Sequence, residues 1–190
     1  SFIRSIRFRF FRKNIIPQCQ LQELDPLFNP NGFGTTLATE THFVGRGGTP
    51  ALGAVKDSEA WILAVLAKKA EKIFEFGTCT GRTTYLLARN SPEEASVTTI
   101  TLPPQMRDQY AVEKGDDSTA VKHALEESVF NEFFYSGTLV QSKIRQLFMD
   151  TKLFDESDHI EKYDLIFVDG SHAYSYVKND SQKALRMLRS

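Results

Sequence analysis

From residue 58 to its end, the chain alternates short apolar runs with amphipathic stretches. Four runs have strand length and are rich in β-branched and aromatic residues, at 73–76, 97–102, 144–148 and 165–168. Apolar residues recur at helical spacing in three further stretches, at 83–89, 120–129 and 173–188. An alternation of strands and helices is typical of a parallel sheet with helices on both faces. The pattern therefore predicts an α/β fold with a Rossmann-like, doubly wound, mainly parallel sheet.

A further helix is predicted just before the first strand. Ser58 is its expected cap, and Glu59 lies in its first turn, where a carboxylate is favourable. Its apolar residues repeat at helical spacing and lysines mark its end: Trp61, Ile62, Val65, Leu66, Lys68, Lys69 and Lys72. Residues 26–57 are rich in proline and glycine, which indicates an irregular lead-in. We therefore expect an N-terminal arm with its lead-in at 1–57 and a domain at 58–190.

Composition fits a globular chain that buries its own core. The chain has 190 residues, of which 41% are hydrophobic and 25% charged. Its longest apolar run, residues 60–67, is far shorter than the roughly 20 residues that a membrane-spanning helix needs. Cys19 and Cys79 match no zinc or redox spacing, so two free thiols in a reducing compartment are expected. This favours the cytoplasm.

The charge is uneven along the chain. The net charge is -1, but residues 1–13 contain five basic residues and no acidic one, interleaved with phenylalanines. Such an arm could make weak contact with an anionic membrane surface; the alternatives are a solvated edge strand or a terminal helix that packs elsewhere. No nucleic-acid partner is expected. Because the chain starts without Met and ends within a predicted helix without a stop signal, we expect a fragment, truncated after the fourth strand and its helix.

A glycine-containing turn follows the first predicted strand, at an edge of the sheet where parallel α/β folds bind ligands. A Walker phosphate loop needs four residues between its glycines and then a lysine. Here three residues separate Gly77 from Gly81, and Arg82 stands at the lysine position. A dinucleotide fingerprint would need glycine at Cys79 and at Arg82. Neither phosphate-binding motif is present.

The turn resembles the cofactor motif of class I S-adenosylmethionine-dependent methyltransferases: an acid, any residue, glycine, three residues, glycine. Glu75, Gly77 and Gly81 match that order, and Cys79 replaces the family's usual middle glycine. The cofactor of this family has an amino-acid end and no phosphate, so a turn without side chains lets backbone groups approach it. The resemblance implies that Glu75, Gly77, Thr78 and Gly81 bind S-adenosylmethionine.

The same resemblance makes predictions for the next two strand ends. After the second strand, the family normally has an acid that holds the ribose hydroxyls, and this chain has Thr101. After the third strand, Asp150 matches the position that contacts the adenine amino group. A cap for a following helix is the alternative interpretation of Asp150. We expect Thr101 and Asp150 to line the cofactor site.

The fourth strand continues into Val-Asp-Gly-Ser-His, residues 168–172, followed by Tyr174, Val177 and Asp180 at helical spacing. This combination resembles a subfamily of small-molecule O-methyltransferases. The resemblance extends from about Trp61 to Leu188, and its two main motifs are in the expected order.

By that resemblance, Asp169 and His172 are the candidate catalytic residues that face the methyl acceptor. His172 is the candidate base, since imidazole exchanges protons near neutral pH. Asp169 could instead ligate Mg²⁺, although one carboxylate alone does not make such a site. Alternatively, Asp169 caps the next helix and His172 is a solvated loop residue.

These observations predict an S-adenosylmethionine-dependent methyltransferase that acts on a small-molecule or sugar hydroxyl, with Mg²⁺ as a second candidate cofactor. One alternative is an NAD-dependent oxidoreductase on a similar sheet, which the incomplete fingerprint and the missing acid at Thr101 disfavour. Another is a non-catalytic domain that has lost cofactor binding, for which Cys79 and Thr101 are the motivating residues.

Overall fold

The computed structural model of the protein describes residues 19–29, 32, 39–40, 53 and 55–190. The chain divides into two compact units, Ser1–Thr36 and Leu37–Ser190. In the first, a short helix α1 (Leu21–Leu24) precedes a 3-10 turn, Pro26–Phe28. The Asp25 carboxylate caps this turn by accepting the Leu27 N–H at 2.8 Å. The basic arm lies outside the described residues, and the domain boundary expected after residue 57 stays a prediction.

The second unit contains a four-stranded parallel sheet, in the order β3-β2-β1-β4. Its strands are β1 (Lys72–Phe76), β2 (Ser96–Thr101), β3 (Ile144–Phe148) and β4 (Leu165–Val168). All four predicted strands are thereby confirmed, and so is the α/β fold class. Because β2 and β4 lie on opposite sides of β1, the strand order reverses at β1, and ligand sites in open sheets form beside such a reversal.

Helices cover both faces of the sheet. They are α2 (Asp57–Ala67), α3 (Arg82–Asn90) and α5 (Tyr174–Met187), and a further helix, α4 (Ser118–Glu127), lies between β2 and β3 in the chain. Ile73 packs with α2 and α3 on one face, while Phe74 and Phe76 pack with Met187 of α5 on the other. Side chains alternate between the faces along β1, as in any strand, so one central strand contributes to both cores. No helix in the described part of the chain is long and apolar enough to cross a bilayer.

Two details of α2 differ from the sequence prediction. The residue that precedes the helix is Lys56, and the Glu59 carboxylate accepts its N–H at 2.9 Å, so Ser58 lies inside the first turn and is not the cap. An acid three residues after the capping residue can accept a backbone N–H that has no partner within the helix. The Glu59 carboxylate therefore fixes the beginning of α2 one turn before Glu59. Lys72 belongs to β1, where it pairs with Ser96, and not to the helix end.

The starts of β1 and β4 are joined by one side chain. The Asp164 carboxylate accepts the backbone N–H groups of Glu71 and Lys72 at 3.0 and 2.8 Å. Arg189 also donates to it, at 2.6 Å, after α5 has returned the chain to the sheet. There, Leu188 forms a parallel bridge with Tyr163. Residues from three distant parts of the unit therefore meet at the amino-terminal edge of the sheet.

Candidate functional site

A cleft lies at the carboxyl ends of the strands. One residue from the end of each strand lines it: Gly77 after β1, Thr101 of β2, Asp150 after β3 and Asp169 after β4. The sequence prediction placed these four residues at a shared sheet edge, and the structure brings them together. Other lining residues come from the loop after β2, from α4 and from the start of α5.

Gly77 is the position where the turn after β1 meets the loop after β4. Its φ is +100°, a conformation that side chains disfavour, and a Cβ placed there would lie 2.4 Å from the carbonyl oxygen of Asp169. The Gly77 N–H donates to the Ile100 carbonyl of β2 at 2.9 Å. Glycine is therefore required so that β1 can end between its two neighbours and leave room for the cleft.

Cys79, two residues further along the turn, has a backbone conformation that favours glycine. Cys79 has a φ of +44°, in the left-handed region that the family's usual glycine adopts freely. Its thiol lines the cleft, and burial raises the pKa of Cys79 to about 12, so the thiol stays neutral. Both described cysteines, Cys19 and Cys79, are free. Gly81 ends the turn at a φ of +77°, and a Cβ there would lie 2.9 Å from Phe133.

Glu75 lies beneath this turn in a buried hydrogen-bond network. Its Oε2 accepts the hydroxyls of Thr84 at 2.5 Å and Thr99 at 2.6 Å, and Oε1 has no partner among the described residues. Thr78 bonds to Thr99 at 2.7 Å, and Gln146 Nε2 donates to Thr78 at 3.0 Å. Burial raises the pKa of Glu75 to about 7, against the opposing effect of the two threonine hydroxyls.

The cofactor residues expected from the resemblance therefore fall into two groups. Gly77, Thr101 and Asp150 line the cleft. The side chains of Glu75 and Thr78 are buried below it and hold the turn from underneath, and Gly81 is buried where the turn enters α3. Sequence similarity alone could not separate residues that would touch a ligand from residues that support the loop around it.

Asp150 is 2% exposed and makes two hydrogen bonds within the protein. Its Oδ1 accepts the Lys152 N–H at 2.8 Å, which closes a turn, and its Oδ2 accepts the Tyr176 hydroxyl at 2.6 Å. The segment after Asp150 is this turn and not a helix, so the alternative of a helix cap is wrong. The sequence did not predict a site role for Tyr176, because the helical motif of Tyr174, Val177 and Asp180 does not include it.

Residues 102–117, here called the strap, connect β2 to α4, and Leu102 and Tyr110 of the strap line the cleft. Tyr110 of the strap stacks on Tyr176, with ring centroids 4.5 Å apart and planes at 14°, and its hydroxyl lies 2.5 Å from Ser171 Oγ. The Ser175 N–H and hydroxyl both donate to Asp116, at 2.8 Å. The strap has no helical or strand periodicity, so its contacts with α5 left no signal in the sequence.

Asp169 lines the other, more exposed end of the cleft, here called the open end, whereas His172 lies beside Asp169 and is not among the residues that line the cleft. The side chain of Asp169 is 44% exposed and that of His172 is 76% exposed, with 3.6 Å between Oδ1 and Nε2. Burial raises the pKa of Asp169, while His172 acts in the opposite direction. Helix α5 is preceded by Ala173, whose N–H is accepted by the Ser171 hydroxyl at 3.2 Å, so the alternative that Asp169 caps this helix is wrong.

Glu127 is a further carboxylate at this open end, which sequence analysis missed. It is the last residue of α4 and lines the cleft with Asp169. Burial raises the pKa of Glu127, and the nearby His172 opposes that rise. The open end therefore brings two carboxylates and one imidazole near each other.

The donor groups of the described residues do not fit a magnesium site. Within residues 19–29, 32, 39–40, 53 and 55–190, no group of three or more His, Cys, Asp or Glu side chains is placed to hold a metal ion. Mg²⁺ needs a near-octahedral set of oxygen ligands, and Asp169 contributes one carboxylate. The prediction that Asp169 ligates Mg²⁺ gains no support, and no metal-dependent step is derived below.

Comparison with known proteins gives one family match. A family model described as a methyltransferase domain matches residues 74–190. No curated protein matches the chain. Among solved structures, the chain is similar to the O-methyltransferase TomG from Streptomyces achromogenes, involved in tomaymycin synthesis and solved with S-adenosylmethionine. The two share 21% identity over 72% of this chain and 53% of TomG, with a TM-score of 0.46.

A second similar structure is an O-methyltransferase from Bacillus cereus in complex with S-adenosylhomocysteine. It shares 19% identity over 73% of this chain and 55% of its own, with a TM-score of 0.48. The chain thus spans about half the length of these two structures.

Proposed function

The chain belongs to the methyltransferase domain family, and on that premise we propose that it transfers a methyl group from S-adenosylmethionine to a hydroxyl of a small molecule or sugar. The observation that carries the proposal is a cleft at the carboxyl ends of all four strands, within the matched residues 74–190. Parallel α/β sheets bind ligands at this edge, beside the point where the strand order reverses.

The residues on the β1–β3 side of the cleft fit the cofactor. In this proposal, the turn at Gly77 offers backbone groups to the methionine part, Thr101 binds the ribose and Asp150 binds the adenine amino group. Its support is that all three residues line the cleft. When bound, S-adenosylmethionine supplies a methyl group on a positively charged sulfur. Glu75 contributes by holding the turn in place and not by direct contact.

The residues at the open end would handle the acceptor. The His172 imidazole takes the proton of the acceptor hydroxyl, which makes the oxygen a better nucleophile. Asp169 at 3.6 Å stabilises the imidazolium that results. Positioning of the acceptor against the methyl group supplies much of the remaining rate enhancement.

Calorimetric titration of the protein with S-adenosylmethionine, S-adenosylhomocysteine and NAD⁺ tests the cofactor half of the proposal. We expect the two sulfur compounds to bind and NAD⁺ not to bind. Binding of NAD⁺ alone would move the chain to the oxidoreductases. If none of the three bound to folded protein, a non-catalytic domain would be favoured. The absence of an acid at Thr101 and the strained φ of Cys79 would agree with that outcome.

Formation of S-adenosylhomocysteine with a panel of phenols and sugars tests the transfer half. With an active acceptor, His172→Ala should lower kcat by roughly 10² or more and leave cofactor affinity unchanged, because a positioned base contributes about that factor. Lys122→Ala is a matched control, since this side chain is as exposed as His172 and its one described ion pair is with Glu126. An unchanged kcat in His172→Ala would remove His172 from the mechanism.

A further inference from the structure

Tyr176 has contacts that connect the strap to the cofactor side of the cleft. Its hydroxyl donates to Asp150 Oδ2 at 2.6 Å and accepts the Ala111 N–H of the strap at 3.1 Å. Burial and the neighbouring Asp150 carboxylate raise the pKa of Tyr176 well above its usual value, so the hydroxyl keeps the proton that it donates. The direction of this hydrogen bond is therefore fixed.

The ring of Tyr176 is held on both sides. Tyr110 stacks against it at 4.5 Å, and the Lys152 ammonium lies 4.3 Å from its ring centre. Lys152 is itself fixed by hydrogen bonds to the Ala111 carbonyl at 2.8 Å, to Glu113 at 2.7 Å and to the Ser175 hydroxyl at 2.8 Å. A ring clamped in this way cannot turn its hydroxyl away from Asp150 without disrupting the strap.

The two hydrogen bonds to Asp150 use one lone pair on each carboxylate oxygen. The Lys152 N–H occupies Oδ1 and the Tyr176 hydroxyl occupies Oδ2. Each oxygen of an ionised carboxylate has two lone pairs, so acceptor capacity remains for a donor in the cleft that Asp150 lines. With both oxygens committed as acceptors at fixed angles, the carboxylate is suited to a ligand that brings an N–H donor.

We propose that Tyr176 is a positioning residue that orients Asp150 to select a purine with an exocyclic amino group over one with a carbonyl at the same position. The inference rests on the proposed function, since it assumes that the cleft holds an adenosyl compound. An amino group at that position donates to Asp150, whereas a carbonyl oxygen would face a carboxylate oxygen. Buried polar sites discriminate strongly when a ligand leaves them unpaired or opposed.

The experiment compares S-adenosylhomocysteine with S-inosylhomocysteine, in which a carbonyl replaces the adenine amino group. Dissociation constants are measured by calorimetry for the wild-type protein, Tyr176→Phe and Tyr110→Phe. We expect the wild-type protein to prefer S-adenosylhomocysteine by about tenfold or more, as for a hydrogen bond to a charged group. Tyr176→Phe keeps the ring and its stacking but loses the hydroxyl, and should reduce the preference at least about threefold.

Tyr110→Phe is the matched control, because it removes the hydroxyl near Ser171 and keeps the stacked pair. It should leave the preference unchanged. Equal weakening of both ligands by Tyr176→Phe, with the preference intact, would overturn the inference and reduce Tyr176 to a structural role. Failure of the wild-type protein to bind either ligand would instead overturn the proposed function.

A second variant keeps the test decisive if Tyr176→Phe does not fold. Because Tyr176 acts only through Asp150, Asp150→Ala must abolish the preference. The double variant of Tyr176→Phe and Asp150→Ala, where it folds, must lose no more of the preference than Asp150→Ala alone. A preference that survives in Asp150→Ala would overturn the inference.

Discussion

The two ends of the cleft are built in different ways. At the β1 end, Glu75, Gly77 and Thr78 are enclosed by neighbouring strands, and each makes a short contact that fixes the turn. At the β4 end, the side chains of Asp169 and His172 are largely exposed and meet each other at 3.6 Å. One motif therefore specifies a backbone shape, and the other places exposed side chains at the edge of the cleft, which Asp169 lines with His172 beside it.

The difference shows that two motifs with similar apparent importance carry different physical information. Substitutions in the first should change folding stability, because the residues are packed on all sides. Substitutions in the second should change chemistry and leave stability almost unaffected. The following variants test this contrast, in order of decreasing expected free-energy effect.

Gly77→Ala should give the largest loss. The new Cβ would collide with the Asp169 carbonyl at 2.4 Å, so the free energy of unfolding should fall by about 3 kcal/mol or more. Gly115→Ala is the matched control, because Gly115 has a similar φ of +104° but nothing within 4 Å of its Cβ position. It should lose only about 1 kcal/mol from backbone strain. Equal losses in urea denaturation would show that the junction of β1 and β4 is not tightly packed.

Glu75→Gln should change the pH dependence of stability. The pKa of Glu75 is about 7 in the folded protein, above its ordinary 4.5, so folded protein holds the proton more tightly than unfolded protein. The stabilisation is complete below pH 4.5 and is lost as pH rises to about 7, with a total of about 3 kcal/mol. Glutamine mimics the protonated acid, so the variant should become the more stable protein above pH 7. Thermal unfolding of both proteins across this pH range measures the difference. If their melting temperatures changed with pH in parallel, Glu75 would not be a buried ionisable group.

Thr101→Asp tests whether a carboxylate at the end of β2 strengthens the cofactor binding that we propose. A carboxylate at this position could accept both ribose hydroxyls, and S-adenosylhomocysteine should bind about tenfold more tightly, since hydrogen bonds to charged groups contribute about 1.5–3 kcal/mol. Thr101→Asn offers a similar shape without the charge and should gain less. Calorimetric affinities that do not improve in Thr101→Asp would place the ribose away from the end of β2.

His172→Ala should have the smallest effect on stability. Because 76% of this side chain is exposed, the free energy of unfolding should change by less than about 0.5 kcal/mol. The same variant is expected to lose methyl transfer, so activity and stability would separate at the β4 end. A loss of stability as large as that of Gly77→Ala would erase the contrast between the two ends.

Much of this architecture was accessible from periodicity and from one topological rule. The strands and helices followed from apolar spacing, and the rule that ligands bind at the carboxyl ends of parallel strands brought Gly77, Thr101, Asp150 and Asp169 to one cleft. The start of α2 was misplaced because Glu59 bonds back to Lys56, a contact that composition does not reveal. Local patterns identify elements more reliably than their ends.

The contacts of the strap could not be predicted from the sequence in the same way. The stacking of Tyr110 on Tyr176 joins residues from a loop and a helix that only the folded sheet brings together. The burial of Glu75 was equally hidden, since its motif is compatible with an acid that faces either a ligand or the protein interior. Glu75 faces the interior because Thr84 and Thr99 donate hydrogen bonds to it, and these two side chains meet Glu75 only in the folded protein.

The link made by Asp164 has a consequence for the order of assembly. It joins the beginning of β4 to Lys72, a residue 92 positions earlier, whereas β1 and β2 are separated only by α3 and its turns. Closing the longer loop costs more chain entropy, and distant pairings slow folding. The β1–β3 part of the cleft, where we propose that the cofactor binds, can therefore form early, while the β4 part joins it late. Folding kinetics of Asp164→Ala would then show faster unfolding and an almost unchanged folding rate.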